Sequence, residues 1–225
     1  MHNFLLWCQE NLLPLSSGLT VTAIVILTKV GGLWQSWELN ILDWSFAHNP
    51  PEAPDHRIVI IGINEEDIRN VGYPVPDGVL AQLISDLKQH QPRAIGVDIF
   101  RDLPVPPGTA ELQTIWQHTP QVVGIEKSVL PAPSNPLVQP PPLPPEKVGF
   151  ADVLLDQDGK IRRALLSAFG TNGEYKFAFA TRLASLYLQA AGITLTNGIR
   201  DKNAFRFGDV ELPRFTGNNG GYVCT

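Results

Sequence analysis

Between Leu12 and Leu33 the chain is mostly apolar, and Lys29 is its single charge. A helical run of about 20 such residues matches the ~30 Å hydrocarbon core of a bilayer. Lys29 lies near the end of the run, where its ammonium can snorkel to the headgroups. Trp34 and Trp37 follow, where an interfacial aromatic belt belongs. Ser16, Ser17, Thr20, Thr22 and Thr28 dilute the pattern. Their hydroxyls can bond back to helix carbonyls, so they are compatible with it. A cleaved signal peptide and a buried soluble helix are rival readings. The first lacks a Lys or Arg before Leu12 and a small-x-small site after the run. An uncleaved anchor is the preferred expectation.

The apolar stripe continues. Leu27, Val30, Trp34, Trp37, Ile41 and Trp44 step by three and four, the spacing of one face of a continuing helix. This face either docks on the following domain or forms a homodimer seam that carries signal along the helix.

A different pattern starts at Arg57. The run Arg57–Asn64 (RIVIIGIN) is continuous, apolar and β-branched, and predicts a buried strand. Asp77 reads as an N-cap, and Val79, Leu80, Leu83, Ile84 and Leu87 mark a helical face that Pro92 ends. Arg93–Phe100 predicts a second strand, Thr109–His118 a short helix, and Gln121–Glu126 a third strand. Strand–helix alternation at this spacing predicts right-handed βαβ units. Eight prolines between Pro131 and Pro145 exclude regular structure there and predict an extended surface excursion. Val148–Val153, a turn at Asp156–Gly159, a strand over Lys160–Phe169, a helix over Phe177–Gln189 and a strand over Ala204–Val210 complete the pattern. The tail from Thr216, rich in Gly and Asn, reads as loose. The expected fold class is α/β: a mostly parallel sheet with flanking helices, preceded by an N-terminal transmembrane helix.

Composition narrows the function. Charged residues are 17% of the chain, below the roughly 25% of an average soluble domain, so part of the surface is expected to face something other than water. The net charge of −5, without a Lys/Arg cluster, removes the electrostatic footprint of a nucleic-acid binder. Cys8 and Cys224 are too few for a disulfide framework or a cysteine metal site. The chain has no phosphate-cradling glycine loop after its first strand, no G-x-S-x-G and no H-E-x-x-H. The five histidines show no ligand spacing. No catalytic residue, metal site or cofactor is therefore assigned.

In an open α/β sheet, ligands sit beyond the carboxyl ends of the strands. Asn64, Glu65, Asp98 and Glu126 fall at those ends and are the candidate ligand-binding residues. For Asp98 a structural latch is the preferred reading over a ligand contact, because a carboxylate in a covered sheet needs a partner. Asp156, Asp158 and Gly159 resemble the opening of a calcium loop. Lys160 and the lack of a following bidentate Glu favour a plain hairpin turn.

Several blocks in fixed order resemble one known family. They are Glu38 and Asp43 in a helix after the apolar run, RIVIIGIN followed by Gly72-Tyr73-Pro74-Val75-Pro76, the helix after Asp77, Ile95–Phe100 (IGVDIF), and Gly149–Arg163 (GFADVLLDQDGKIRR). From about Leu33 to Tyr222 the chain resembles the type-two CHASE domain, an extracellular sensory domain. The resemblance implies a membrane-anchored receptor whose later transmembrane helices and cyclase, histidine kinase or Ser/Thr kinase lie further along. It implies an unidentified external ligand and no activity in this portion. The chain departs from the pattern at Asn64, where the family has Asp, and at Tyr73–Asp77, where it has W-P-W-P-R. It also stops short of the family's further strand. The expected organisation is a cytoplasmic segment at 1–11, a transmembrane helix at 12–33, a juxtamembrane helix at 34–48 and an extracytoplasmic sensor at 49–225, incomplete at its C-terminus. The expected partners are the lipid bilayer, the external ligand and a second copy through the Leu27–Trp44 stripe. The alternative functions are an exported α/β binding protein or enzyme, or a dimerisation module without a small-molecule ligand.

Overall fold

The computed structural model describes residues 2–51, 53–129, 136–156, 158–212 and 221–224, with side chains for those between 16 and 212. The chain divides into two compact units, Met1–Val59 and Ile60–Thr225.

In the first unit, α1 (His2–Val30) is followed by α2 (Gln35–His48). The predicted continuous helix is broken at Gly31-Gly32, and the two helices meet at a bend of 74°. Gly32 has φ +77°, a left-handed conformation that glycine adopts at no steric cost. The stripe therefore does not run along one helix: Leu27 and Val30 lie on α1, Trp37, Ile41 and Trp44 on α2. Lys29 and Glu38 pair across the break at 3.3 Å, and the Trp34 indole donates to the Thr28 hydroxyl at 2.9 Å. Among the described residues no single helix is long and apolar enough to cross a membrane. Ser16–Val30 and Gln35–His48 meet that requirement only as a bent pair.

The run that crosses from the first unit into the second departs from the predicted pattern. Residues 58–63 form no strand. Ile58, Val59, Ile61 and Ile63 are exposed, and Ile60 is 88% exposed. A β-branched run specifies a preference for extended backbone, but a strand also needs a ladder partner. Local polar contacts take both ends of the run instead. Arg57 folds back onto Asp55 at 2.6 Å, holding the Asp55 carboxyl down to about 2, and Asn64 starts a helix. That helix, α3 (Glu65–Val71), opens on a reciprocal cap. Asn64 Oδ1 accepts from the Glu66 and Asp67 amides, and Asp67 Oδ2 accepts from the Asn64 amide.

Next come α4 (Asp77–Gln89), β1 (Ile95–Gly96), α5 (Thr109–Gln117), β2 (Val122–Glu126) and β3 (Val148–Phe150). The three strands form a parallel sheet with β2 in the centre. Every residue of β2 is buried, as a parallel strand covered on both faces requires. On one face Leu80, Ala81 and Ile84 of α4 and Leu112 and Trp116 of α5 pack on Ile95, Val97 and Val122. The opposite face carries α6 (Phe179–Gln189). Its approach needs glycine on the sheet. A Cβ at Gly149 would lie 2.5 Å from the Phe179 backbone, and one at Gly96 would meet the Phe179 and Leu183 side chains.

The second half of the unit is less parallel than predicted. Strand β4 (Arg163–Phe169) pairs antiparallel with β5 (Tyr175–Phe177), and β6 (Leu195–Asn197), β7 (Phe205–Phe207) and β8 (Val210–Leu212) form an antiparallel meander. Short turns at 170–174 and 208–209 join these strands, and a short turn permits only antiparallel pairing. The tail read as loose instead supplies β9 (Gly221–Cys224), parallel to β4.

Candidate ligand cleft

The four residues selected from the sequence take separate roles. Asn64 is the α3 cap and Glu65 lies exposed in the first turn of α3. Asp98 follows β1 and is exposed. Glu126, at the end of β2, is buried and accepts from Lys176 Nζ at 2.8 Å through both oxygens. Among the described residues no group of His, Cys, Asp and Glu is placed to hold a metal ion.

The Asp156–Gly159 segment is a hairpin turn: the Asp156 amide donates to Lys160 O at 2.9 Å, and the Gly159 amide to Asp156 O at 2.9 Å. Its carboxylates face arginine. Arg162 donates to Asp156 at 2.8 Å and to Asp158 at 2.6 Å, and Arg163 also donates to Asp156. Hydrogen bonding from Arg162 holds the Asp156 carboxyl below its ordinary range, with Arg163 adding to the effect and burial opposing it. The Asp158 carboxyl is held down to about 2, first by Arg162.

A cleft of about 250 Å³ opens elsewhere, between the start of α4, α5 and the proline excursion. Its floor is built by a loop pinned to a helix. Residues 101–108 pack on the first turn of α4: the Asp77 amide donates to Val105 O at 2.7 Å and the Gly78 amide to Pro107 O at 2.9 Å. This approach requires Gly108, at φ +98°, because a Cβ there would lie 2.2 Å from Gly78 Cα. Asp77 is the first residue of α4 rather than its predicted cap, and its carboxylate serves the loop. Oδ2 accepts from the Val105 amide at 2.9 Å and from the Thr109 hydroxyl at 2.7 Å. Oδ1 lies 3.5 Å from Arg101 Nε, and both side chains are buried. The far end of Arg101 donates to Val75 O.

Asp77 Oδ1 and Arg101 Nε face each other as an ion pair beneath this cleft without a hydrogen bond, and Trp116 Nε1 is buried beside them without a hydrogen-bond partner. Asp102 and Gln113 stand exposed on its rim. The proline excursion supplies the opposite wall. Pro141 turns inward over β2, where a Cβ on Gly124 would come within 2.8 Å of it, while Pro140 and Pro142 line the cleft. Sequence reading passed over this site because its polar residues are scattered from Asp77 to Gln113. One signal was readable: Arg101 directly follows an apolar strand, and a buried arginine requires partners.

No curated protein and no solved structure matches the chain. The family model of the CHASE2 domain matches residues 19–223, which span the described second unit, its helix-covered parallel sheet and β9. CHASE2 domains are sensory domains of signal-transduction receptors and are not catalytic. This match covers most of the chain, and the chain belongs to the CHASE2 domain family.

Proposed function

We propose that this chain is the extracytoplasmic sensory portion of a membrane-anchored receptor, with α1 crossing the bilayer. The observation that carries this reading is the surface of α1. Leu19, Val21, Ile24, Val25, Ile26, Leu27 and Val30 are all exposed, although they point to different sides of the helix. A helix apolar on all sides suits lipid. Its hydroxyls bond internally: Thr20 donates to Ser16 O at 2.8 Å and Thr28 to Ile24 O at 2.9 Å. Polar atoms satisfied inside the helix are what a hydrocarbon environment demands. At about 1.5 Å per residue, the apolar part of α1 from Leu12 to Val30 comes close to the ~30 Å core, and Gly31–Leu33 continue the apolar run.

The bend after Val30 fits the same placement. With α1 crossing the bilayer, α2 turns toward its surface. Trp34, Trp37, Ile41 and Trp44 are exposed there, the residue types that anchor at headgroup level. The paired Lys29 and Glu38 mark the boundary. Alkaline carbonate washing of membranes tests the anchor. The full chain is expected to stay in the membrane pellet, and its release to the supernatant would contradict the reading.

A further inference from the structure

We infer that residues 60–63 of one copy add as a parallel strand to the free edge of β1 in a second copy, which returns the same strand and so forms a symmetric, strand-exchanged dimer. The dimer adds to the sensory role and does not depend on the anchor.

One half of the joint is the edge. Among the described residues β1 pairs with β2 alone and ends its sheet. The Ile95 and Val97 amides donate to Gln121 O and Val123 O on the β2 side, each at 2.9 Å. Alternate residues of a parallel strand turn their backbone groups to opposite sides, so those of Gly96 and Asp98 face the open edge. Such an edge is a template for another strand. Helix α4 can shelter that strand. Gly78 packs on Pro107 and Gly108 at the start of α5. Val79 and Leu83, about 100° and 140° round α4 from Gly78, are exposed on the other flank.

The other half is the run. Ile60, Ile61 and Ile63 are exposed, and α3 behind them has no buried residue. Ile61-Gly62-Ile63 repeats the pattern of the strands that α6 crosses, Ile95-Gly96-Val97 at β1 and Val148-Gly149-Phe150 of β3. In both strands the glycine faces α6: Phe179 and Leu183 leave no room for a Cβ at Gly96, and the Phe179 backbone leaves none at Gly149. With Gly62 laid beside Gly96, Ile61 and Ile63 fall on the α4 face and Gly62 on the α6 face. Within one chain the run stands off the sheet, its ends tied by Arg57 to Asp55 and by Asn64 to Asp67, so a second copy supplies the strand. Exchange of an identical element is a low-cost route to a two-fold dimer.

Sedimentation equilibrium of the full chain in detergent reads the dimer, and the wild type is expected to be dimeric. Ile60→Lys and Gly62→Val change exposed positions, and a Cβ at Gly62 meets nothing within 4 Å, so both variants fold. Ile60→Lys is expected to weaken dimerisation about a hundredfold, because the joint would bury its charge. Gly62→Val raises β propensity and apolar surface but sets a side chain against α6, and is expected to weaken dimerisation about tenfold. Trp37→Ser, in the apolar stripe of α2, is expected to leave it unchanged. A monomeric wild type, a dimer that Gly62→Val leaves unchanged or tightens, or a dimer lost in Trp37→Ser but kept in Ile60→Lys would overturn the proposal. Disulfide trapping separates exchange from closure within one chain. With Cys8→Ser and Cys224→Ser in place, an Ile60→Cys/Ala94→Cys chain is expected to form interchain disulfides. An intrachain disulfide would overturn the second copy as the source of the strand.

Discussion

Lys176 Nζ lies 2.8 Å from both carboxylate oxygens of Glu126, and this pair joins the end of β2 to β5. The Glu126 side chain is buried and that of Lys176 nearly so. The pair links the parallel sheet to the mixed one at a position where sequence reading placed a ligand contact.

Removing one partner should cost more than removing both. Lys176→Met leaves a buried carboxylate without its cation, and is expected to destabilise the chain by about 3–5 kcal/mol. The double variant Glu126→Leu/Lys176→Met should recover most of that loss, since an apolar pair needs no compensation. Denaturant unfolding of the two single variants and the double checks this. Equal losses for Lys176→Met and the double variant would show that the pair does not act as a unit.

The arginine-held turn sets an acid limit. Arg162 and Arg163 depress the folded Asp156 carboxyl below its unfolded value of about 4. Between those two values the unfolded chain binds more protons, so stability falls as pH falls. The contribution is fully present above the unfolded value and is lost as pH drops through the folded one. Asp158, held down to about 2, follows the same sign. Melting temperature measured from about pH 5 to about pH 2 should fall steeply in the wild type. It should start lower and fall less in Asp156→Asn. Identical slopes would remove the turn from the explanation.

The exposed run before α3 gives a direct contrast. Ile60 is 88% exposed, so Ile60→Lys should change stability by no more than about 0.5 kcal/mol. Were Ile60 inside a covered strand, a lysine there would cost several kcal/mol. Urea unfolding of this variant decides between the two surroundings. An unpaired β-branched run is also an aggregation template, so Ile60→Lys should lower light scattering at high protein concentration.

These particulars show what was legible in the sequence. The faces of α4 and α6, the buried β2 and the turn at Asp156–Gly159 follow from local periodicity and turn chemistry, which one segment carries by itself. The fate of residues 58–63 does not, because the same apolar run reads identically with or without a neighbouring strand. Helix α3 was legible through the Asn64–Asp67 cap, a four-residue signal hidden beside the stronger apolar pattern. Strand β9 was hidden for the opposite reason: a glycine-rich tail says little until β4 offers it an edge. The cleft is the least legible feature. Asp77, Arg101 and Trp116 meet only through the packing of α4, α5 and the 101–108 loop, and none carries a spacing that announces the others.

The central claim is a sensor held outside the cytoplasm by α1, and labelling with a membrane-impermeant maleimide on spheroplasts tests it most directly. The Cys224→Ser variant leaves Cys8, ahead of the apolar span, as the single thiol. Adding Cys8→Ser and Lys202→Cys moves the single thiol to an exposed position of the second unit. The Lys202→Cys chain should label on intact spheroplasts, and Cys8 only after permeabilisation. Labelling of Cys8 from outside, or of the Lys202→Cys chain only after lysis, would contradict the account.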